Sequence, residues 1–331
     1  MRYRLLALPA ALAILIAPPV KAQSTARQSA AKTSTTARTP WGHPDLQGVW
    51  DYRTITPLER PQELAGREFL TDEEVAEFEQ RAARRADGRP PEDERRSPSV
   101  HAPFWLDYGT KVIGTKRTSL VVDPPDGRVP SLTPEGKARR AARAEARKGR
   151  GPADSWEDRN LWERCITRGL PGGMLPAGYN NNIQVLQTPE YVAIVMEMIH
   201  DTRLIPIDGR AHLDSGIRQW HGDSRGRWEG NTLVVETTNF SNKTDFRGSG
   251  ANLRLIERFT RADAETLLYE FTVEDPTTWE RKWSAAVPMT RTVGPLYEYA
   301  CHEGNYGLEN ILRVARTEEK ATAEAAAKGA R

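Results

Sequence analysis

Three histidines in the second half of the sequence are the first candidates for chemistry: His200, His221 and His302. An acidic residue follows each of them within two positions. Imidazole titrates near neutral pH, so a histidine beside a carboxylate favours general acid/base catalysis. We expect catalytic roles for His200, His221, Asp223 and His302, with His221 and Asp223 on the same face of one strand. The alternative for each histidine is a hydrogen-bonded residue of the core or of its rim.

Residues suited to binding a substrate concentrate in Arg218–Gly248, which begins with the letters RQWHGDSRGRWEG. A planar guanidinium pairs bidentately with a carboxylate, so arginines here and on nearby strands predict an acidic or enolate-forming ligand. The alternative is structural pairing with Glu236, Glu257 or Glu270. An Asn run at 180–182 offers amide donors, or is a turn that tolerates a left-handed backbone. The expected substrate-binding residues are Tyr179, Asn181, Arg203, Arg218, Trp220 and Arg225.

The sequence contains no local signature for a metal or a cofactor. No HExxH pattern occurs, and a metal site needs three or four converging ligands. The patterns GxGxxG and CxxC are also absent, which argues against dinucleotide enzymes and thioredoxin-like redox proteins. We expect no cofactor and no metal, while a metal-dependent enzyme using His200, His221 and His302 stays open as an alternative.

Short strands must position these residues. From Asn180 onward, apolar segments alternate with turn residues, which is typical of an antiparallel barrel or sandwich. In 267–274 the odd positions are apolar and the even ones mostly polar, so one face is core. Polar Glu257 shares a face with two leucines, which predicts a rim or a polar floor inside a cavity. The predicted strands are 183–188, 191–200, 203–207, 232–240, 253–261, 267–273, 279–289 and 296–301.

Helices are predicted mainly in the N-terminal half, at about 69–86, 133–148 and 155–168. Thr71 with Glu74 forms a capping box, and Thr133 precedes a proline at the first helical position. Gly48-x-Trp50 resembles the tryptophan signature at the closed end of lipocalin-like barrels. We therefore predict a mainly β fold, an antiparallel lipocalin-like barrel or cup with added helices, as one domain at 40–316. A linker at 23–39 precedes it, and a frayed helix at 317–331 follows it.

The start of the chain predicts export. Arg2 and Arg4 precede a short apolar run, and a small-residue cleavage pattern ends at Ala22, as in a secretory signal peptide at 1–22. Its removal deletes three basic residues and no acid, so the formal net charge changes from +2 to −1. Nucleic acid binding therefore has no electrostatic support, and the basic run 137–150 is predicted to be a solvated helix face. We expect a periplasmic or secreted protein without a membrane span after cleavage.

The chain has two cysteines, Cys165 and Cys301. An even number in an exported protein predicts one disulfide. The alternative is a reactive thiol or a metal thiolate.

Four segments resemble those of a large set of exported, largely uncharacterised proteins of environmental bacteria. They are RTSLVVDPPDGR, MEMIHD, GRWEGNTLVVET and YACHEGNYG. The resemblance extends over roughly 41–316 and supports export. It implies no activity and no catalytic residues.

The functional hypothesis is a cofactor-independent lyase, isomerase or hydrolase that binds a small organic ligand, anionic or aromatic, inside the barrel. Histidine supplies acid/base catalysis and arginine holds an anionic group. Two further alternatives are a non-catalytic periplasmic ligand-binding protein and a structural envelope protein.

Overall fold

A computed structural model describes residues 37–87, 106–244 and 246–329. The predicted signal peptide and residues 23–36 of the predicted linker lie outside these ranges. The end of that linker is packed rather than free: Thr39 is buried, and its N–H donates to the carbonyl of His43 at 2.9 Å.

Ten strands form the sheet of the described structure. They are β1 (Gly48–Asp51), β2 (Val121–Asp123), β3 (Asn182–Gln187), β4 (Tyr191–Met196), β5 (Thr202–Pro206), β6 (Asp223–Glu229), β7 (Thr232–Thr238), β8 (Arg254–Arg261), β9 (Thr266–Glu274) and β10 (Trp283–Thr292). All belong to one antiparallel sheet in the order β5-β4-β3-β1-β10-β9-β8-β7-β6, with β2 also paired to β10. The prediction of a mainly antiparallel β protein is confirmed.

The sheet curls so that its two end strands face each other without pairing by backbone hydrogen bonds. A Cβ added at Gly226 of β6 would lie 3.0 Å from the side chain of Ile205 of β5. Beside this contact, the Nη2 of Arg203 donates to the Oγ of Ser224 at 3.2 Å. Side chains therefore join the two edges of the cup.

The core follows the predicted period of two. Leu267, Tyr269, Phe271 and Val273 of β9 are each at most 1% exposed, as expected for one inward face. Trp50 of β1 is also fully buried, and its indole N–H donates to the carbonyl of Leu46 at 2.9 Å.

A salt bridge lies inside this core. Arg203 and Glu257 are 3% and 0% exposed, and both guanidinium Nη atoms donate to the carboxylate, at 2.9 and 2.6 Å. The hydroxyl of Tyr269 donates to the same carboxylate at 2.9 Å. Glu257 is thus the polar group that the sequence placed on an apolar face, and Arg203 follows the structural-pairing alternative.

The described ranges contain three α-helices: α1 (Asp72–Ala86), α2 (Pro134–Ala146) and α3 (Tyr306–Gly329). Thr71 and Glu74 form the predicted capping box of α1, and Thr133 caps α2. No helix within the described ranges has the length and apolar character needed to cross a lipid bilayer.

Two predicted secondary-structure elements differ from the structure. The helix expected at 155–168 is a single 3-10 turn, Trp156–Asp158, because Arg159 has an extended backbone and Cys165 a φ of 56°. The segment 296–301 forms no strand. The frayed helix expected at 317–331 is part of the longer helix α3, which has no buried residue.

We predict that Gly136→Ala destabilises the protein by about 1–3 kcal/mol. Alanine in a helix is normally better than glycine by roughly 1 kcal/mol, so the expected sign is the reverse of helix propensity. The reason is close packing, because a Cβ at Gly136 would lie 2.7 Å from the carbonyl oxygen of Thr278. Urea unfolding of Gly136→Ala and of the exposed helical control Gly307→Ala, where an added Cβ meets nothing closer than 3.9 Å, measures this; equal stability of Gly136→Ala and wild type would contradict it.

Candidate functional site

A disulfide organises the candidate site. Cys165 and Cys301 are bonded, as predicted, with their Cα atoms 5.7 Å apart across 136 positions of sequence. The bond brings the loop that follows residue 165 beside the loop at 299–302. Neither loop has regular secondary structure at this point, so the cross-link constrains their relative position.

His200 lies at a backbone kink beside this disulfide. Strand β4 ends at Met196, and Ile199 and His200 have φ values of 62° and 48°. A β-branched residue in the left-handed region is strained, and such strain concentrates at functional sites. The kink removes His200 from the strand face on which the sequence placed it.

The protonation pattern of His200 follows from its partner. Its Nδ1 lies 2.8 Å from the carbonyl oxygen of Tyr299, and a carbonyl only accepts, so Nδ1 carries the proton. In neutral His200 the Nε2 atom then holds the lone pair. The ring centroid of His302 lies 6.4 Å away, and both histidines are exposed. The structure therefore brings these two predicted residues together.

His221 has different partners. Its Nε2 lies 2.7 Å from the Oγ1 of Thr167 and 3.2 Å from Oδ2 of Asp201. The Thr167 hydroxyl donates to that same Oδ2 at 2.9 Å. Because a carboxylate accepts, Nε2 carries the proton and Nδ1 is the basic atom of neutral His221. The hydroxyl and the carboxylate share one ring nitrogen, so this is not a nucleophilic triad, which uses both nitrogens.

The prediction that His221 and Asp223 share one face of a strand is wrong. Strand β6 begins only at Asp223, and Gly222, with φ 66°, turns the chain before it. Asp223 instead accepts from Nδ1 of His212 at 2.8 Å and from Nη1 of Arg225 at 2.6 Å. Asp223 therefore fixes the loop before β6 and does not support His221.

The segment Gly222–Gly226 also matches the Gly-x-Ser-x-Gly pattern of hydrolase nucleophile elbows. An elbow needs a sharp turn between a strand and a helix. Ser224 instead lies within β6, and its Oγ is 2.9 Å from the Oγ1 of Thr237 on the paired strand. In this protein the pattern is therefore part of a strand and does not form a nucleophile elbow.

Arg168 is the most unusual charge at the site. Its guanidinium lies over the ring of Trp162, 4.6 Å from the centroid, and is partly buried. Burial lowers the pKa of Arg168, and no carboxylate within 37–87, 106–244 or 246–329 forms a salt bridge with it. A partly desolvated cation without a counterion costs free energy, which an anionic ligand would offset.

Tyrosines surround this cation. Tyr52, Tyr179 and Tyr299 all interact electrostatically with Arg168. Burial raises the pKa of Tyr299 to about 12, helped by the Tyr179 hydroxyl and opposed by Arg168. Burial likewise raises the pKa of Tyr52, whose hydroxyl donates to the carbonyl of Gly173 at 3.0 Å. The phenols of Tyr52 and Tyr299 therefore stay neutral at physiological pH and keep their hydroxyl protons beside a positive charge.

We predict that Tyr299 ionises late in an alkaline titration. The folded pKa is about 12 against roughly 10 for an unfolded tyrosine, so its contribution to stability is complete below pH about 10 and is lost as pH approaches about 12. Tyr299→Phe should remove one late tyrosinate absorbance change. Tyr297→Phe, at a 73% exposed position, is the matched control. Two identical losses would show that Tyr299 is solvated.

The other predicted binding residues have structural partners. Asn181 is 1% exposed and bonds to the backbone of Ala177 and Asp107. Asn180 has a left-handed φ of 54°, as the turn alternative expects, and Asn182 begins β3. The remaining placements are these: Arg218 donates to the carbonyls of Phe240 and Ala251, Arg225 to those of Ala211 and Ser224, and the Trp220 carbonyl accepts from Thr244. Tyr179 alone joins the cluster around Arg168.

Sequence reasoning missed Thr167, Arg168 and Asp201 as site residues. The signal was present in the predicted disulfide, because residues two or three positions after Cys165 must lie near residues 299–302. No group of three or more His, Cys, Asp or Glu side chains placed to hold a metal ion occurs in the part of the chain that the structure describes.

No family model matches the chain, and searches of the curated proteins and of the solved structures find no significant match. The site is therefore interpreted from its own geometry.

Proposed function

We propose that this protein is a periplasmic or secreted, cofactor-independent enzyme acting on a small organic carboxylate. Arg168 holds the carboxylate or the enolate formed from it, and a histidine transfers the proton. The proposal includes a lipocalin-like architecture for the cup. The reaction class is lyase, isomerase or hydrolase, all of which acid/base catalysis serves.

The observation that carries the proposal is the charge of Arg168, which no carboxylate of the described residues neutralises. A structural arginine in a protein interior is normally paired, as Arg203 is with Glu257 at 2.6 Å. The guanidinium of Arg168 has an aromatic face on one side and phenols nearby, which leaves its in-plane N–H donors for a bidentate anion. An organic carboxylate meets both the charge and the apolar surroundings.

His221 is the favoured base. Asp201 and Thr167 orient its ring through Nε2, so the lone pair of Nδ1 receives the substrate proton. The carboxylate of Asp201 then stabilises the imidazolium that forms. His221 is the more sheltered candidate, since its side chain is 19% exposed, whereas His200 lies at the surface.

Proton exchange tests the enzyme proposal. The purified protein is incubated in D₂O with a panel of aromatic and aliphatic 2-keto, 2-hydroxy and unsaturated carboxylates, beginning with phenylpyruvate. Deuterium incorporation and product formation are followed by NMR. His221→Asn should slow the reaction by about 10²–10⁴-fold, the usual contribution of a positioned base.

His212→Asn is the matched control, because His212 forms the other His–Asp pair, with Asp223 at 2.8 Å. It should leave the rate nearly unchanged. If His212→Asn loses activity while His221→Asn keeps full activity, the catalytic base is His212, paired with Asp223, and not His221. Binding of the panel without exchange or turnover by the wild type would favour the ligand-binding protein.

A further inference from the structure

A groove separate from the candidate site lies between helix α2 and the turn that joins β9 to β10. Its volume is about 560 Å³, within the range of small-molecule pockets. None of the residues around Arg168 or His221 lines it. We propose that it binds a second ligand, an amphiphilic organic anion.

Arginines supply the charge of the groove. Arg139, Arg140 and Arg143 occupy one face of α2 at i, i+1 and i+4, and Arg247 lines the groove as well. Glu59 is the only carboxylate in the lining, so the lining residues carry a formal charge of +3, four arginines less one glutamate. Like charges at this spacing destabilise a helix slightly, and an anion would relieve that repulsion.

Two of the arginines are held in place by protein partners. Arg139 donates to the hydroxyl of Thr278 at 2.6 Å, and Arg247 pairs with Glu59. Arg140 is exposed, and its side chain forms no salt bridge or hydrogen bond with another described residue. The groove therefore combines two guanidinium groups held by protein partners, those of Arg139 and Arg247, with the guanidinium of Arg140, whose N–H donors face solvent.

The remaining lining is apolar. Leu132, Val129 and Pro130 contribute, together with Trp279, which is 2% exposed and packs edge-on against Trp283 at 5.9 Å. The close fit of Gly136 against Thr278 fixes the helix over this floor. An apolar floor beneath a cationic rim matches a ligand with an apolar body and one or two anionic groups. The basic helix that the sequence predicted as solvated is thus one side of a binding groove.

Two dyes test the charge requirement. Anilinonaphthalene sulfonate carries an aromatic body and an anion, and N-phenylnaphthylamine has a similar body without the sulfonate. The wild type should bind the sulfonate with a salt-sensitive affinity and the neutral dye more weakly. Arg140→Gln/Arg143→Gln should weaken sulfonate binding by about tenfold or more.

The matched control is Lys137→Gln/Lys148→Gln, which removes two positive charges from the same segment outside the groove lining. It should bind the sulfonate like the wild type. The groove shares no lining residue with the site at Arg168, so failure here is distinct from failure of the proposed function. Glutamine preserves helix propensity, and circular dichroism verifies folding. Unchanged sulfonate binding in Arg140→Gln/Arg143→Gln, or equal binding of both dyes, would overturn the proposal.

Discussion

Replacing Arg203 by methionine is expected to lower the free energy of unfolding by about 3–5 kcal/mol. The variant leaves Glu257 fully buried without its bidentate partner. It also removes the donor that reaches Ser224 across the seam between β5 and β6. Urea unfolding monitored by tryptophan fluorescence measures the loss.

A surface pair and a repacked core provide the controls for Arg203. Arg258→Met breaks the exposed salt bridge with Glu229 and should cost only about 0–1 kcal/mol. The variant Arg203→Met/Glu257→Leu/Tyr269→Phe removes the buried charges together and should recover most of the loss. If Arg203→Met is as stable as Arg258→Met, the buried pair does not hold the cup together.

Removing the disulfide is expected to have the second large effect. Cys165→Ser/Cys301→Ser should lower stability by about 2–5 kcal/mol, since the bond closes a loop of more than a hundred residues. The loops that carry Arg168 and Tyr299 also lose their covalent link. Carboxylate binding should therefore weaken more than global unfolding alone explains.

Thermal unfolding and phenylpyruvate titration of both forms measure these effects. Reductant should destabilise the wild type and leave the double-serine variant unchanged, because the chain has no other cysteine. If the folded double-serine variant binds as tightly as the wild type, the disulfide does not position the site.

Much of the sheet is predictable because burial on one face imposes a period of two. The alternation in β9, the capping box at Thr71 and the cysteine pair are local or compositional signals, and each agrees with the structure. The segment 155–168 is harder, since its helix-like composition competes with a disulfide and the left-handed Cys165, both set by tertiary structure. A helix prediction based on local sequence does not include the constraint that the disulfide imposes on this segment.

The candidate site was less predictable for a related reason. Sequence proximity suggested Asp223 as the partner of His221, whereas Asp201 reaches His221 from a different segment. The residue type alone does not reveal whether an arginine is paired. Arg203 and Arg168 look alike in sequence, yet among the described residues a carboxylate pairs with Arg203 and none pairs with Arg168. That distinction depends on the tertiary neighbours of each guanidinium.

The most direct measurement of the central claim compares Arg168→Gln with Arg164→Gln by calorimetric titration of the carboxylate panel. Arg164 is a close match, because its guanidinium lies over the ring of Trp156 at 4.5 Å and four positions earlier in the chain. We predict that Arg168→Gln weakens carboxylate binding about tenfold or more without lowering stability, since it removes a partly buried charge that no described carboxylate neutralises. Arg164→Gln should bind like the wild type. Equal affinities in the two variants, or a large loss of stability in Arg168→Gln, would contradict an anion site at Arg168.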